Sequence, residues 1–459
     1  MAPITPDKMR KLDQLAQGIA CWRVKSIGAR TQEEYPMRKG LLLASTASMF
    51  ALLAGLSAHA ADKIKIGVSA TLEGTYTVLG EDGMRGYELA VKAHDGKAGG
   101  KEIETIVAST DASPDSAVRA AKKLVEQDKV DVLISPLSGA EGIAIRDYSK
   151  TQPQITVINA SSGALETTYV DPSPTFYRFN LDGAQWHAGL GDYIYNTKHY
   201  KKIATVAEDY AFTYTQVFGL ALEFCQLGGE ITKRLWVPLG TKDFASTIAS
   251  LPDDVDAIYL GLGGADAVNF LNQYQQAGGN AKLIGGSIMV DQTVLSSKGK
   301  AKEALIGTVA ASGMADADPN PKWQAFAKSY QTMPKEGYFK NAFAGPSLLA
   351  ISYYNSADAV FKALDEVKGD LSDNNKKFRE ALKNMVLDAP NGKITLDENR
   401  QAIGTNFITE VVKDPNGDLV SKVVKVVPNV QERLGFSKEV FDKIGLPGRD
   451  VPECKKSYP

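Results

Sequence analysis

Short apolar runs rich in β-branched residues alternate with amphipathic helical stretches, and the whole alternation occurs twice. Ile64–Val68, Ile103–Val107, Val130–Ile134 and Ile155–Ile158 make the first set of predicted strands; Ile203–Val206, Ile231–Val237, Ala257–Leu260 and Leu283–Gly286 make the second. Strands separated by helices must return in the same direction, so the pattern predicts parallel sheets with helices on both faces. Ser113-Pro114-Asp115 has the form of a helix cap with proline in the first turn, and the helix that follows puts Ala117, Ala121, Leu124 and Val125 on one face. Across Thr213–Leu227, Val217, Leu220, Ala221 and Phe224 likewise share a face. One sheet with this many strands is unusual, so the chain is expected to fold as two Rossmann-like α/β lobes.

The crossover between lobes is expected near Phe176–Asp182, after the turn cluster Asp171-Pro172-Ser173-Pro174. Beyond Ser312 the pattern changes to longer helices, Pro321–Thr332, Pro346–Val367 and Asn374–Met385. Two strands follow, Phe407–Val412 and Val420–Val427, around the turn Asp414-Pro415-Asn416-Gly417. The predicted division is 61–180 and 313–406 for the first lobe, with 181–312 and 407–459 for the second lobe and tail. A chain that crosses more than once makes a hinge rather than a linker.

The segment Leu41–Leu56 is apolar. Met37-Arg38-Lys39 precede it and Ala58-His59-Ala60-Ala61 follow. A basic start, a short apolar core and small residues before a cut predict an export signal over 37–60, cleaved after Ala60. The core is short for a membrane span. Residues 1–36 are expected to be an extension ahead of the true start at Met37. Cys225 and Cys454 remain after cleavage; an oxidising compartment permits their pairing, but spacing alone does not decide between a bridge and two thiols.

The net charge of -2 among 459 residues gives no basic excess for nucleic acid. His94, His187 and His199 show no metal-ligand spacing, and neither a nucleophile elbow nor a phosphate-binding loop occurs. The run Gly261-Leu262-Gly263-Gly264-Ala265-Asp266 has aspartate where a dinucleotide-binding loop needs its third glycine. An enzyme is therefore not expected, nor is a cofactor or a metal.

Ligands of open α/β sheets bind beyond the carboxyl ends of the strands. Two such ends carry small, hydroxyl-rich turns, Ser135-Pro136-Leu137-Ser138-Gly139-Ala140 and Asn159-Ala160-Ser161-Ser162-Gly163. Hydroxyls, close backbone amides and a helix start suit a carboxylate, although such serines often only cap helices. Trp186, Trp236 and Trp323 are expected to be packing residues, and Glu81 and Asp82 a solvated helix start.

With these segments in order, the chain from Ile64 to about Val427 resembles the branched-chain amino acid binding proteins, the type I periplasmic solute-binding proteins of ABC transporters. The resemblance is carried by Ile66-Gly67-Val68-Ser69 leading to Gly74 and Gly80, Arg85-Gly86, Ser138-Gly139, Ala160-Ser161-Ser162-Gly163, Phe176-Tyr177-Arg178 and Glu208-Asp209-Tyr210-Ala211-Phe212. It implies two lobes that close on a solute, a periplasmic location, and permease subunits as partners, with the membrane reached only through them; the same fold also serves receptor-kinase sensors. It implies that the Ser138 hydroxyl and the backbone of Ala160 and Gly163 hold the ligand carboxylate, with the candidate site residues Ser161 and Ser162 between them. Leu79 corresponds to a first-loop residue over the ligand, Tyr210 and Phe212 to second-lobe aromatics, and Gly263 and Ser287 to the remaining second-lobe segments.

Amino-acid-binding members hold the ligand ammonium with a second-lobe carboxylate. The matching stretch here, Gly285-Gly286-Ser287-Ile288-Met289-Val290, has no acid before Asp291. A buried ammonium without a partner is costly. The expected ligand is therefore an aromatic carboxylate of the benzoate or phenylpropanoid kind, with Tyr210, Phe212 and Tyr214 offering flat surfaces. A looser similarity to the aromatic-acid subgroup of the family, in Thr77–Gly83 and the Cys454–Pro459 tail, points the same way. An amino acid, with Asp209 or Asp291 supplying the charge, and an amide-like solute are the alternatives.

Overall fold

The computed structural model describes residues 63–458; the expected export signal over 37–60 and the expected extension over 1–36 lie outside the described residues. The first lobe is built on a six-stranded sheet: β1 (Ile64–Thr71), β2 (Lys97–Ala98), β3 (Lys101–Thr110), β4 (Val132–Ile134), β5 (Thr156–Ile158) and β6 (Phe176–Tyr177). Their order is β2-β3-β1-β4-β5-β6, parallel except for the β2–β3 hairpin. Ile66, Val68, Val132, Ile134 and Ile158 are completely buried, as strands covered on both faces require.

Helix α1 (Thr77–Ala93) follows β1, α2 (Pro114–Lys122) follows β3, and α3 (Gly139–Lys150) follows β4. Ser113 caps α2 through its side chain, with Pro114 in the first turn. Asp82 is not solvated, contrary to expectation. It is fully buried and accepts from Arg85 Nη1 at 2.8 Å, from the Tyr330 hydroxyl and from Ser347 N at 2.9 Å. These partners come from α1 itself and from the segments that cover it, so the acid serves tertiary packing.

The second lobe carries a larger mixed sheet: β7 (Lys202–Glu208), β8 (Glu230–Val237), β9 (Ala257–Gly261), β10 (Lys282–Gly285), β11 (Val309–Ser312), β12 (Leu387–Ala389), β13 (Gly392–Leu396), β14 (Ala402–Lys413) and β15 (Leu419–Val430). β7 to β11 run parallel to one another, whereas β12 to β15 join antiparallel, β14 beside β11. The strands β11, β12 and β13 are absent from the sequence expectation: Val309-Ala310-Ala311-Ser312 is short and buried throughout, so it shows no alternation. Helix α4 (Ala211–Gln226) follows β7 and α5 (Gly264–Gln276) follows β9. Returning to the first lobe, α6 (Pro321–Gln331) and α7 (Leu348–Glu366) pack against α1.

The chain thus passes between the lobes three times, after β6, after β11 and before β12. Polar side chains knit these passages. The buried Arg178 donates Nη1 to Ala164 O at 2.7 Å and Nη2 to Thr168 Oγ1 at 2.5 Å, and its Nε bonds Gln401 Oε1. Gln401 Nε2 donates to Gln185 Oε1 at 2.7 Å, and Gln185 Nε2 to Ala402 O at 2.8 Å and Val430 O at 3.0 Å. Past β15 the tail returns along the second lobe, where Cys454 forms a disulfide with Cys225 of α4. Spacing left that pairing open; the packing of the tail against α4 decides it.

Candidate functional site

The carboxyl ends of β4, β5, β7 and β9 converge where the lobes meet. Leu79, Ser138, Ser161 and Gly163 of the first lobe line the narrow cavity there with Tyr210 and Phe212 of the second, together with Tyr76, Leu137, Trp186 and Ile288; its volume is about 20 Å³. Six of the ten sequence-derived site residues therefore come together. Leu79 reaches the cavity from the first turn of α1 rather than from a loop.

The other four stand behind this lining. Ala160 and Ser162 are completely buried. Ser162 Oγ packs against Gly142, where a Cβ would lie 1.9 Å from it. Gly263 donates its N–H to Glu208 Oε1 at 3.1 Å. Ser287 accepts from Gln216 Nε2 at 2.6 Å inside the second lobe.

Ser138 is the N-cap of α3. Its hydroxyl accepts from Glu141 N at 3.3 Å and donates to Ala112 O at 2.9 Å, and Glu141 Oε2 accepts from Ser138 N at 2.8 Å. This capping box sets α3 with its first turn toward the cavity and adds the positive end of the helix to the site. Ser161 Oγ donates to Leu137 O at 3.3 Å, and the amides of Ser161 and Ser162 both donate to Pro136 O. The two serine turns thus brace each other. Burial pushes the Glu141 carboxyl above its ordinary range.

A row of four rings runs through the site. Tyr76 and Tyr210 have centroids 6.3 Å apart, Tyr210 and Phe212 6.1 Å, and Phe212 and Trp186 5.9 Å with planes at 86°. Glycine is required where this row meets the serine turns. A Cβ on Gly163 would lie 2.9 Å from both Phe212 and Trp186. Trp186, expected to serve packing, is both buried and part of the cavity wall. Tyr214 is not: its ring packs on Trp236 and its hydroxyl donates to Asp209.

Neither acid suggested for an ammonium faces the cavity. Asp209 is held by Arg449 and Tyr214, with Arg449 Nε at 2.8 Å. Asp291 caps the turn at Gln292–Leu295 and is pushed up to about 8, chiefly by burial. The acid that does approach is Glu208, the last residue of β7. It is completely buried; burial first, and then the nearby Asp266, push it up to about 8 against the lowering effect of Tyr76. Glu208 had no role in the sequence expectation, although its place at a strand's carboxyl end is the signal that finds it.

Among the described residues no group of three or more His, Cys, Asp or Glu can hold a metal ion. No helix among them is long and apolar enough to cross a membrane.

The sequence pattern described as "Periplasmic binding protein" matches residues 63–417. The chain belongs to the periplasmic binding protein family. This periplasmic binding protein is 23% identical over 409 residues to Leu/Ile/Val-binding protein homolog 6 of Brucella melitensis, covering 87% of this chain and 97% of that one. It is similar to the solved solute-binding protein of an ABC transporter from Rhodopseudomonas palustris in complex with 3,4-dihydroxybenzoic acid, at 26% identity and a TM-score of 0.73, covering 81% and 98% of the two chains. A substrate-binding protein of a branched-chain amino acid transporter from Streptococcus pneumoniae, solved with isoleucine, shares the fold at 20% identity and a TM-score of 0.67, covering 80% of this chain and all of that one. The family is one of periplasmic solute-binding components of ABC transporters, not a class of enzymes.

Proposed function

We propose that this periplasmic binding protein captures an aromatic carboxylate, of the benzoate or phenylpropanoid kind, and presents it to the permease subunits of an ABC importer. The observation that carries the reading is the row Tyr76–Tyr210–Phe212–Trp186 running through the cleft to the serine turns of Ser138 and Ser161. Flat rings favour a flat apolar body, and a helix start with adjacent hydroxyls favours an anion. The engagement of Asp209 by Arg449, and the burial of Asp291 as a cap, support a ligand without an ammonium. The likeness to a protein solved with 3,4-dihydroxybenzoic acid agrees with it.

A second reading, an amino acid ligand, is favoured by Glu208, whose carboxyl an ammonium would draw into its ionised form. Relatives named as Leu/Ile/Val-binding homologues support it. A thermal-shift panel decides between them. Benzoate and coumarate are expected to raise the melting temperature more than leucine or valine; the reverse order overturns the aromatic reading.

A further inference from the structure

Glu208 is an expensive residue where it stands. It is completely buried, and the nearby charge acting on it is another acid, Asp266. A buried carboxyl persists only if its oxygens are used. One oxygen accepts from Gly263 N at 3.1 Å and the other from the Tyr76 hydroxyl, which lies 2.8 Å from the hydroxyl of Tyr210. This polar knot joins the two lobes, since Tyr76 belongs to the first and the other residues to the second.

Its position along the ring row matters. The backbones of Gly139 and Gly163 abut Phe212, and Gly163 also abuts Trp186, so the serine turns lie at that end. Tyr76, Glu208 and Tyr210 lie at the other. A flat acid with its carboxylate at the serine turns therefore directs the far edge of its ring at the knot.

We propose that Tyr76, Glu208 and Tyr210 form a specificity subsite for a ring hydroxyl, so that the preferred ligands are hydroxylated aromatic acids. This rests on the aromatic-carboxylate reading above. With its carboxyl pushed up to about 8 by burial, Glu208 is mostly protonated at pH 7. It anchors the Tyr76 hydroxyl from behind, and the hydroxyls of Tyr76 and Tyr210, both residues of the cavity lining, are the groups that exchange hydrogen bonds with a phenol. An ether at the same ring position lacks the donor, and an unsubstituted ring leaves the knot facing carbon. Sites built to bond a hydroxyl discriminate strongly against ligands that lack it.

Isothermal titration with benzoate, 4-hydroxybenzoate and 4-methoxybenzoate tests this. The wild-type chain is expected to bind 4-hydroxybenzoate about tenfold tighter than either other acid, the worth of one net hydrogen bond. In Glu208→Leu the ratio of 4-hydroxybenzoate to benzoate affinity should fall below about threefold, whatever the change in their common affinity. Equal wild-type affinities for all three acids, or a preference that survives in Glu208→Leu, overturns the subsite; if Glu208→Leu fails to fold, the wild-type comparison decides. Benzoate binding without preference sinks the subsite alone, whereas leucine binding with none of the three acids bound sinks the aromatic reading as well.

Discussion

Tyr76 in the first lobe donates its hydroxyl to Glu208 at the end of a second-lobe strand, so a hydrogen bond to a carboxyl that titrates well above its usual range spans the cleft. It is not alone. Asp291 and Glu432 are also pushed up to about 8 and Glu166 to about 7, each chiefly by burial. Such groups keep their protons in the folded chain at pH values where the unfolded chain has lost them. Their contribution is complete below the ordinary values of 4.5 for Glu and 3.8 for Asp, and is lost as pH rises through about 8. The melting temperature should therefore fall steadily from pH 5.5 to pH 8.5. A flat or rising profile by differential scanning calorimetry would contradict it.

Ser138 has two separable duties. As N-cap of the Gly139–Lys150 helix, its replacement by alanine should cost about 1 kcal/mol of folding stability. As a proposed carboxylate contact, the same change should weaken ligand binding by about 1–2 kcal/mol. Denaturant melts and calorimetric titration read the two effects independently. A stability loss with unchanged affinity would leave Ser138 a cap alone.

Gly86 marks the closest approach between the Thr77–Ala93 and Leu348–Glu366 helices. A Cβ there would lie 1.8 Å from Ala350 O, which is backbone and cannot swing aside. Gly86→Ala should cost about 3 kcal/mol, at the upper end for overpacking. Gly96 has φ +68°, and a Cβ there would meet nothing within 4 Å, so Gly96→Ala should cost only the strain of its backbone, about 1 kcal/mol. Urea midpoints compare the two.

The Cys225–Cys454 bridge closes a loop across a sequence separation of 229 residues. Cys225→Ala with Cys454→Ser should lower stability by about 2–4 kcal/mol. A reducing agent should lower the melting temperature of the wild-type chain and leave the double variant unmoved; equal melting of both chains under oxidising conditions would show that the bridge contributes nothing.

The alternation of β-branched runs with one-faced helices was enough to establish two α/β lobes, because burial on both faces of a parallel strand and on one face of a helix is written locally, within a few residues. The serine turns at the strand ends were legible for the same reason. The short strands Val309–Ser312, Leu387–Ala389 and Gly392–Leu396, the lining role of Trp186 and the pairing of Cys225 with Cys454 were not, since each depends on segments far apart in the chain meeting in space. The same holds for the acids. Asp209 is turned to Arg449, 240 residues away, while Glu208 beside it is sealed under Tyr76. Nothing in the local sequence separates two adjacent carboxylates; only the fold decides which one water leaves.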